Sequence, residues 1–338
     1  MTDQDTTTPL QPLRRRDFLL GASALTGSLA AAPLTALANT DWPTRPVRIV
    51  VPFAPGGGAD SSARVLAELF GNTLGQAFIV DNKPGAGSAI GVNHVAQSKD
   101  GHTLLMGSNS MVINSLLVPN IGYDVNKDFD VVGMVSDQPL VLVVPSNSSL
   151  QSMNDVIREG KAAPGKLTAG NSGNGTLAHL TAEMFAGETG IEFTHVPYKG
   201  ESAMMPDVLA GLVSLGFLNL PSVLPHIRAG KLRAIAVSSP KPVADLPGVP
   251  TLRSLNYPSL EVQGWAALFA PKGSIPAAGL AKLEAQLTQA LQSDTVKTKF
   301  ASIGVAPVLQ NRAQAGQFMR SEIDRYAAVI KARGIKAN

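Results

Sequence analysis

An apolar, β-branched run that breaks into consecutive glycines and then into helical periodicity constrains this chain more than any other feature. In residues 48–60, RIVVPFAPGGGAD, the run from Ile49 to Phe53 meets Pro55 and then Gly56, Gly57 and Gly58. A short run bounded in this way reads as a buried parallel strand. The apolar positions that follow, Ala63, Val65, Leu66, Leu69 and Phe70, fall largely on one helical face. The predicted unit is strand, tight loop, helix start. Glycine backbone at the head of a helix leaves N–H groups facing outward, and that is a cradle for an anion.

The unit recurs. Residues 166–176, KLTAGNSGNGT, again read as strand, Gly-rich loop and helix start, and Glu183-Met184-Phe185 then stands where Glu68-Leu69-Phe70 stands in the first copy. Residues 191–196 match the second strand at 78–81, and Lys199-Gly200-Glu201-Ser202-Ala203 echoes residues 83–89. The step from Gly211 to Asn219 equals the step from Gly101 to Asn109. A repeat in constant order predicts two like α/β lobes. Two further strands follow each half, 130–135 with 140–144 and 232–238 with 265–270, and placing the last strand of each pair in the opposite lobe makes the chain cross twice. Lobe one is then 39–139 plus 260–338 and lobe two is 140–259, with hinges at 138–139 and 258–259. Helices predicted at 276–292 and 312–333 cover lobe one or both.

In open parallel sheets, ligands sit beyond the carboxyl ends of the strands. Loops 55–61, 84–88 and 108–110 converge there from one lobe, and loops 171–176, 198–202 and 219–222 from the other. The candidate ligand-binding residues are Pro55, Gly56, Gly57, Gly58, Asp60, Ser61, Gly85, Gly87, Ser88, Ser108 and Asn109, facing Ser172, Gly173, Gly175, Thr176, Tyr198, Lys199 and Asn219. Gly, Ser, Thr and Asn dominate, so the cleft offers amides, hydroxyls and helix N-termini to a small carboxylate, with Lys199 the one formal cation in the lobe-two loops. Asp60 is read as a helix cap and His179 as a satisfied core histidine. His94, His102, His195 and His226 lack metal-ligand spacing, so no metal is expected.

Residues 1–38 read as an export signal that is cleaved: Arg14-Arg15-Arg16, an apolar Ala- and Leu-rich stretch, then Ala36-Leu37-Ala38. Its Arg15-Arg16-Asp17-Phe18-Leu19 core resembles a twin-arginine signal. The chain has no cysteine, which excludes disulfides and a lipid-bearing Cys behind the signal. A soluble periplasmic monomer is expected. Lys and Arg are scattered, the net charge is only +3 and aromatic residues make up 5%, which excludes a nucleic-acid surface.

Taken together, several stretches resemble one known family. They are Trp42-Pro43, the run 46–53, Pro55-Gly56-Gly57-Gly58-Ala59-Asp60, Asp81-Asn82-Lys83-Pro84-Gly85-Ala86-Gly87, Val196-Pro197-Tyr198-Lys199-Gly200 and Leu220-Pro221-Ser222. The sequence is similar across residues 39–338 to the Bug family, the TctC-like extracytoplasmic receptors of tripartite tricarboxylate transporters. The resemblance implies an α/β fold of the two-lobed periplasmic binding protein kind, type II-like, with two mostly parallel sheets, an interlobe cleft and a Venus-flytrap motion. It also implies an organic carboxylate as ligand, a membrane permease as partner, and no cofactor. Leu218 departs from the pattern, standing before Asn219 where many relatives carry an acidic residue.

The rival reading is an exported NAD(P)-dependent oxidoreductase. Gly56-x-Gly58 after a strand and Asp81 at the end of the next mimic a dinucleotide fingerprint. Ser61 stands where its third Gly or Ala belongs, Asp81 runs into Asn82-Lys83-Pro84-Gly85, and the second half repeats the first instead of supplying catalytic groups. No Ser-His-Asp, paired-carboxylate or P-loop pattern is present, and the chain is expected not to be an enzyme.

Overall fold

The structure, a computed structural model, describes residues 42–336. The export signal predicted at 1–38 lies outside these residues.

Each sequence repeat folds into a parallel trio of strands with helices between them. In the first, β1 (Val47–Val51) pairs with β2 (Phe78–Asn82) and β3 (Thr103–Ser108). These strands are connected by α1 (Gly58–Leu74) and α2 (Ala89–Ala96), and α3 (Asn109–Leu117) follows β3. α1 is stopped by Gly75, which adopts the left-handed conformation that favours glycine. After β4 (Phe129–Pro145) and α4 (Met153–Ala162), the second trio is β5 (Thr168–Asn171) flanked by β6 (Thr194–Pro197) and β7 (Leu215–Asn219). Its helices are α5 (Leu177–Thr189), α6 (Glu201–Leu209) and α7 (Leu220–Arg228), in the same order as in the first. The chain ends with β8 (Leu232–Val237), β9 (Gln263–Pro271), α8 (Ala277–Gln292), α9 (Asp294–Ser302), β10 (Ala306–Pro307) and α10 (Arg312–Arg333).

The spatial order is β2-β1-β3-β9-β4-β7-β5-β6, with β8 and β10 also pairing with β4. Both sheets are mixed: each parallel trio is extended by antiparallel pairing through β4 and, on the first sheet, β9. The strands predicted at 130–135 and 140–144 are one 17-residue strand. β4 changes sheet between Pro139, opposite Gln263, and Leu140, opposite Asn219. A proline is tolerated there because the ladder changes partner at that point. Residues 258–260 form a short 3₁₀ turn and β9 begins only at Gln263.

One apolar cluster runs beneath both sheets, from Val50, Leu105 and Phe269 to Leu142, Phe185 and Phe217. Separate clusters fill the far faces, around Leu66, Phe70 and Leu268 on the first sheet and around Met204, Val208 and Val223 on the second. α10 starts at an Asn311/Gln314 capping box and lies across both halves. Its first residue, Arg312, pairs with Asp130 at 3.3 Å and its last, Arg333, with Glu188 at 2.6 Å. Among the described residues no helix is long and apolar enough to cross a membrane.

Candidate functional site

Five helices begin at the wall of one cavity between the sheets. Gly57, Gly58 and Ala59 head α1; Ser108, Asn109 and Ser110 head α3; Leu177 and Ala178 head α5; Glu201 opens α6; Asn219 precedes α7. Only α5 has a side-chain N-cap, Thr176 accepting from the His179 amide; the other four have none. First-turn amides have no partner within their own helix, so this wall carries converging partial positive charge. Phe53, Gln138, Ser172 and Trp265 close the cavity, and no Lys, Arg or His occurs among the described residues that line it. The cavity volume is about 60 Å³, enough for a few waters or one small solute.

A second, wider cavity opens beside it, lined by Gly85, Gly87, Ser88, Ser172, Gly173, Tyr198 and Lys199. Here loops from the two sheets touch. The Ala54 amide donates to the Lys199 carbonyl at 3.1 Å across the seam, and within the first half Asn114 Nδ2 donates to the Gly87 carbonyl at 2.6 Å. Gly87 and Gly173 allow this approach, because a Cβ on Gly173 would lie 2.8 Å from the Gly87 Cα. Both have positive φ, +59° and +129°, which side chains rarely adopt.

The sequence-predicted residues divide between these spaces. Gly57, Gly58, Asp60, Ser108, Asn109, Ser172 and Asn219 line the inner cavity, whereas Gly85, Gly87, Ser88, Gly173, Tyr198 and Lys199 line the outer one beside Ser172. Pro55, Gly56, Ser61, Gly175 and Thr176 line neither. Several side chains are engaged by the protein itself. Asn109 donates to the Gln263 carbonyl and the Tyr326 hydroxyl and accepts from the Trp265 amide, bracing β9 and α10. Thr176 caps α5 and donates to the Gly173 carbonyl. The Tyr198 hydroxyl donates to Asp207 at 2.6 Å, and burial together with that carboxylate pushes its pKa up to about 12.

Asp60 sits in the first turn of α1 rather than capping it, since the helix starts at Gly58. Burial alone would raise its carboxyl, but hydrogen bonds from Arg64, the Gly56 amide and Asn82 hold it below the usual range. Glu201, Gln138 and Trp265 are cavity residues that sequence reasoning missed. Glu201 carried a weak signal, lying inside the Lys199-to-Ala203 echo, whereas Gln138 and Trp265 arrive from β4 and β9, which no loop motif marks. Glu201 accepts from the Asn219 amide at 2.9 Å, from Asn219 Nδ2 at 2.8 Å and from the Ser222 hydroxyl. Burial pushes its carboxyl up against the pull of those bonds.

His179, Glu183 and His195 come together although their sequence spacing hides it, with ligand-type atoms within 4.8 Å of one another. His195 Nε2 and Glu183 Oε1 are 2.7 Å apart, closer than the ~3.3 Å separating ligands around a tetrahedral zinc. His179 Nδ1 accepts from the Gly175 amide at 3.4 Å, which leaves the ring proton on Nε2, the nitrogen that faces Glu183 at 3.9 Å. That tautomer suits a carboxylate neighbour, not a cation. Burial, reinforced by His195, pushes the His179 pKa down to about 4, so the ring is neutral at pH 7. The group braces loop 171–176 against β6.

Two α/β halves joined by crossing strands, with helix N-termini gathered at a cavity between them, define a two-lobed solute-binding protein of the periplasmic kind. The family model described as tripartite tricarboxylate transporter family receptor, TctC, matches residues 62–335, and the chain belongs to this family. It is 39% identical to Protein BugT of Bordetella pertussis over 312 residues, covering 91% of this chain and 95% of that protein. Among solved structures it is similar to Rpa4515 of R. palustris with adipate, at 34% identity and a TM-score of 0.83, covering 87% of this chain and 99% of that one. It is likewise similar to MatC of Rhodopseudomonas palustris with bound malate, at 28% identity and a TM-score of 0.81, covering 86% and 100%. The chain is thus a solute-binding receptor of the tripartite tricarboxylate transporter class.

Proposed function

We propose that this receptor captures a small organic carboxylate in the inner cavity and presents it, in the closed form, to the permease of a tripartite transporter. The observation that carries this reading is the convergence of five helix N-termini on a cavity with no basic side chain among its described lining residues. A carboxylate accepts from several first-turn amides at once, and charge-assisted hydrogen bonds contribute about 1.5–3 kcal/mol each. Three or four such bonds are enough for micromolar binding without an arginine. The neighbours with adipate and malate bind dicarboxylates, which is consistent with this chemistry.

In this reading residues 39–139 with 260–338 form lobe one and 140–259 lobe two, with the sheet change in β4 at Pro139 as one hinge. Opening parts the Gly87 and Gly173 loops, and closure buries the solute. The protein works as a monomer, is exported through a signal in residues 1–38, and does no chemistry on its ligand. The test is a thermal-shift screen of refolded protein against organic acids, NAD and NADP. A ligand at 100 times its Kd stabilises a fold by about 2.7 kcal/mol, readily seen as a rise in melting temperature. A rise with acids and none with dinucleotides is expected, and a rise with dinucleotides alone would overturn the reading.

A further inference from the structure

Two side chains in the wall of the inner cavity, Trp265 and Asn109, are held from behind by α10. The buried stripe of this helix is Ala315, Met319, Glu322 and Tyr326, spaced to share one face, and of these four Glu322 alone is charged. Glu322 is 5% exposed, and its Oε2 accepts from the Trp265 indole N–H at 2.8 Å. Phe318, one turn earlier, meets the Trp265 ring edge-on with centroids 6.0 Å apart. The other Glu322 oxygen pairs with Arg325 Nε at 3.1 Å. The Arg325 guanidinium lies 4.8 Å from the centre of the Tyr326 ring and donates to its hydroxyl at 3.0 Å. That hydroxyl also accepts from Asn109 Nδ2 at 2.7 Å, and Asn109 Oδ1 accepts from the Trp265 amide at 2.9 Å, so the circuit closes on the cavity.

Packing alone does not call for a carboxylate at position 322. An apolar side chain in the same stripe would avoid the desolvation that a buried ion pair carries. What the acid adds is direction. An indole has a single donor, and tying it to one fixed acceptor removes the freedom of the ring to turn about its side-chain bonds. In a cavity of about 60 Å³ a small turn of that ring alters the fit of any solute. We propose that Glu322 is a positioning residue of the ligand site: it fixes the Trp265 indole as a rigid wall of the inner cavity, while Arg325 and Tyr326 keep the acid and Asn109 in register. The solute touches Trp265, and Glu322 acts through it. This rests on the inner cavity being the place where the solute binds.

The experiment measures Kd by calorimetry on refolded protein, with whichever of succinate, glutarate, adipate, malate and citrate raises the melting temperature most as the probe. Glu322→Leu, which removes the acceptor, should weaken binding ten-fold or more. Glu322→Gln, which keeps an acceptor for the indole but not the charge, should stay within three-fold of the parent. In a Trp265→Phe background Glu322→Leu should change Kd less than two-fold, because a phenyl ring has no N–H to hold. A readout without ligand accompanies these. The chain has two tryptophans, so Trp42→Phe leaves Trp265 alone, and Glu322→Leu should then add a fast component to its fluorescence anisotropy decay. Should Glu322→Leu fail to fold, Glu322→Asp decides: it keeps the charge for Arg325, draws the oxygens back from the indole, and should weaken binding five-fold or more. Equal losses in the Leu and Gln variants, equal losses with and without the indole, or parental Kd in Glu322→Asp would overturn the proposal and leave the cavity reading intact. If none of the five acids binds the parent, the cavity reading falls and this one falls with it.

Discussion

A single methyl group on the seam between the two halves should disable the receptor without unfolding it. Gly87 lies on the loop after β2, and a Cβ there would overlap the carbonyl oxygen of Asn174 from the opposing loop and stand 3.0 Å from Asn114 Nδ2. Ordinary contact begins at 3.4 Å, and a backbone carbonyl has no rotamer by which to step aside. Gly87→Ala therefore has two costs. The left-handed backbone, φ +59°, penalises alanine by about 1 kcal/mol whether the halves are open or closed. The overlap acts only when they are closed, and overpacking against rigid atoms costs about 3 kcal/mol. Ligand affinity should fall about 100-fold, at 1.4 kcal/mol per ten-fold. Gly75→Ala is the control: its φ of +72° matches, and nothing lies within 4 Å of the added Cβ. Calorimetry and small-angle scattering with and without ligand separate the two effects. Both variants should lose similar stability, while only Gly87→Ala should lose affinity and ligand-induced compaction. Wild-type affinity and compaction in Gly87→Ala would refute the claim that these loops must meet.

Three other outcomes are expected. The Asp60 carboxyl is held below its unfolded value, so its contribution is complete above the ordinary carboxylate range and is lost as pH falls through its folded value. Asp60→Asn should melt below the parent at pH 7, and the gap should close on acidification; a gap that widens in acid would contradict this. Asn109→Ala removes two buried hydrogen bonds and one half-buried one and leaves Gln263, Tyr326 and Trp265 short of partners, at a cost of about 3 kcal/mol. A fall of roughly 6 °C in melting temperature should result, and less than about 1 °C would show that the bracing is dispensable. Trp265 lines the cavity, whereas Trp42 is buried against Gly101, so ligand should change the intrinsic fluorescence of the parent and of Trp42→Phe but not of Trp265→Phe.

The two α4 and α9 helices escaped the sequence reading although each is announced by a serine cap, Ser152 and Ser293, whose side chains accept from the third residue along. The joined strand β4 escaped for a different reason. Pro139 reads locally as an interruption, and only the change of partner from β9 to β7 makes a proline acceptable there. Of the cavity residues, those on the glycine loops were legible because a helix start after a strand announces itself in composition. Gln138, Glu201 and Trp265 were not, because nothing local marks a strand interior or the first residue of a helix as facing a ligand.

Local chemistry therefore determines a great deal of this protein. Strand runs, glycine loops and their repetition in order depend on neighbours within a few residues, so the paired α/β units, their helix N-termini and their meeting at a cleft follow from the amino-acid sequence alone. Tertiary structure decided which of the polar side chains around the cavity are available. Asn109 and Thr176 are held by Gln263, Tyr326 and Gly173, while among the described residues Gln138 Oε1 is left without a partner and Glu201 without a cation. Such partnerships join residues far apart along the chain, and whether a buried polar group is satisfied depends on what folding brings within about 3 Å of it.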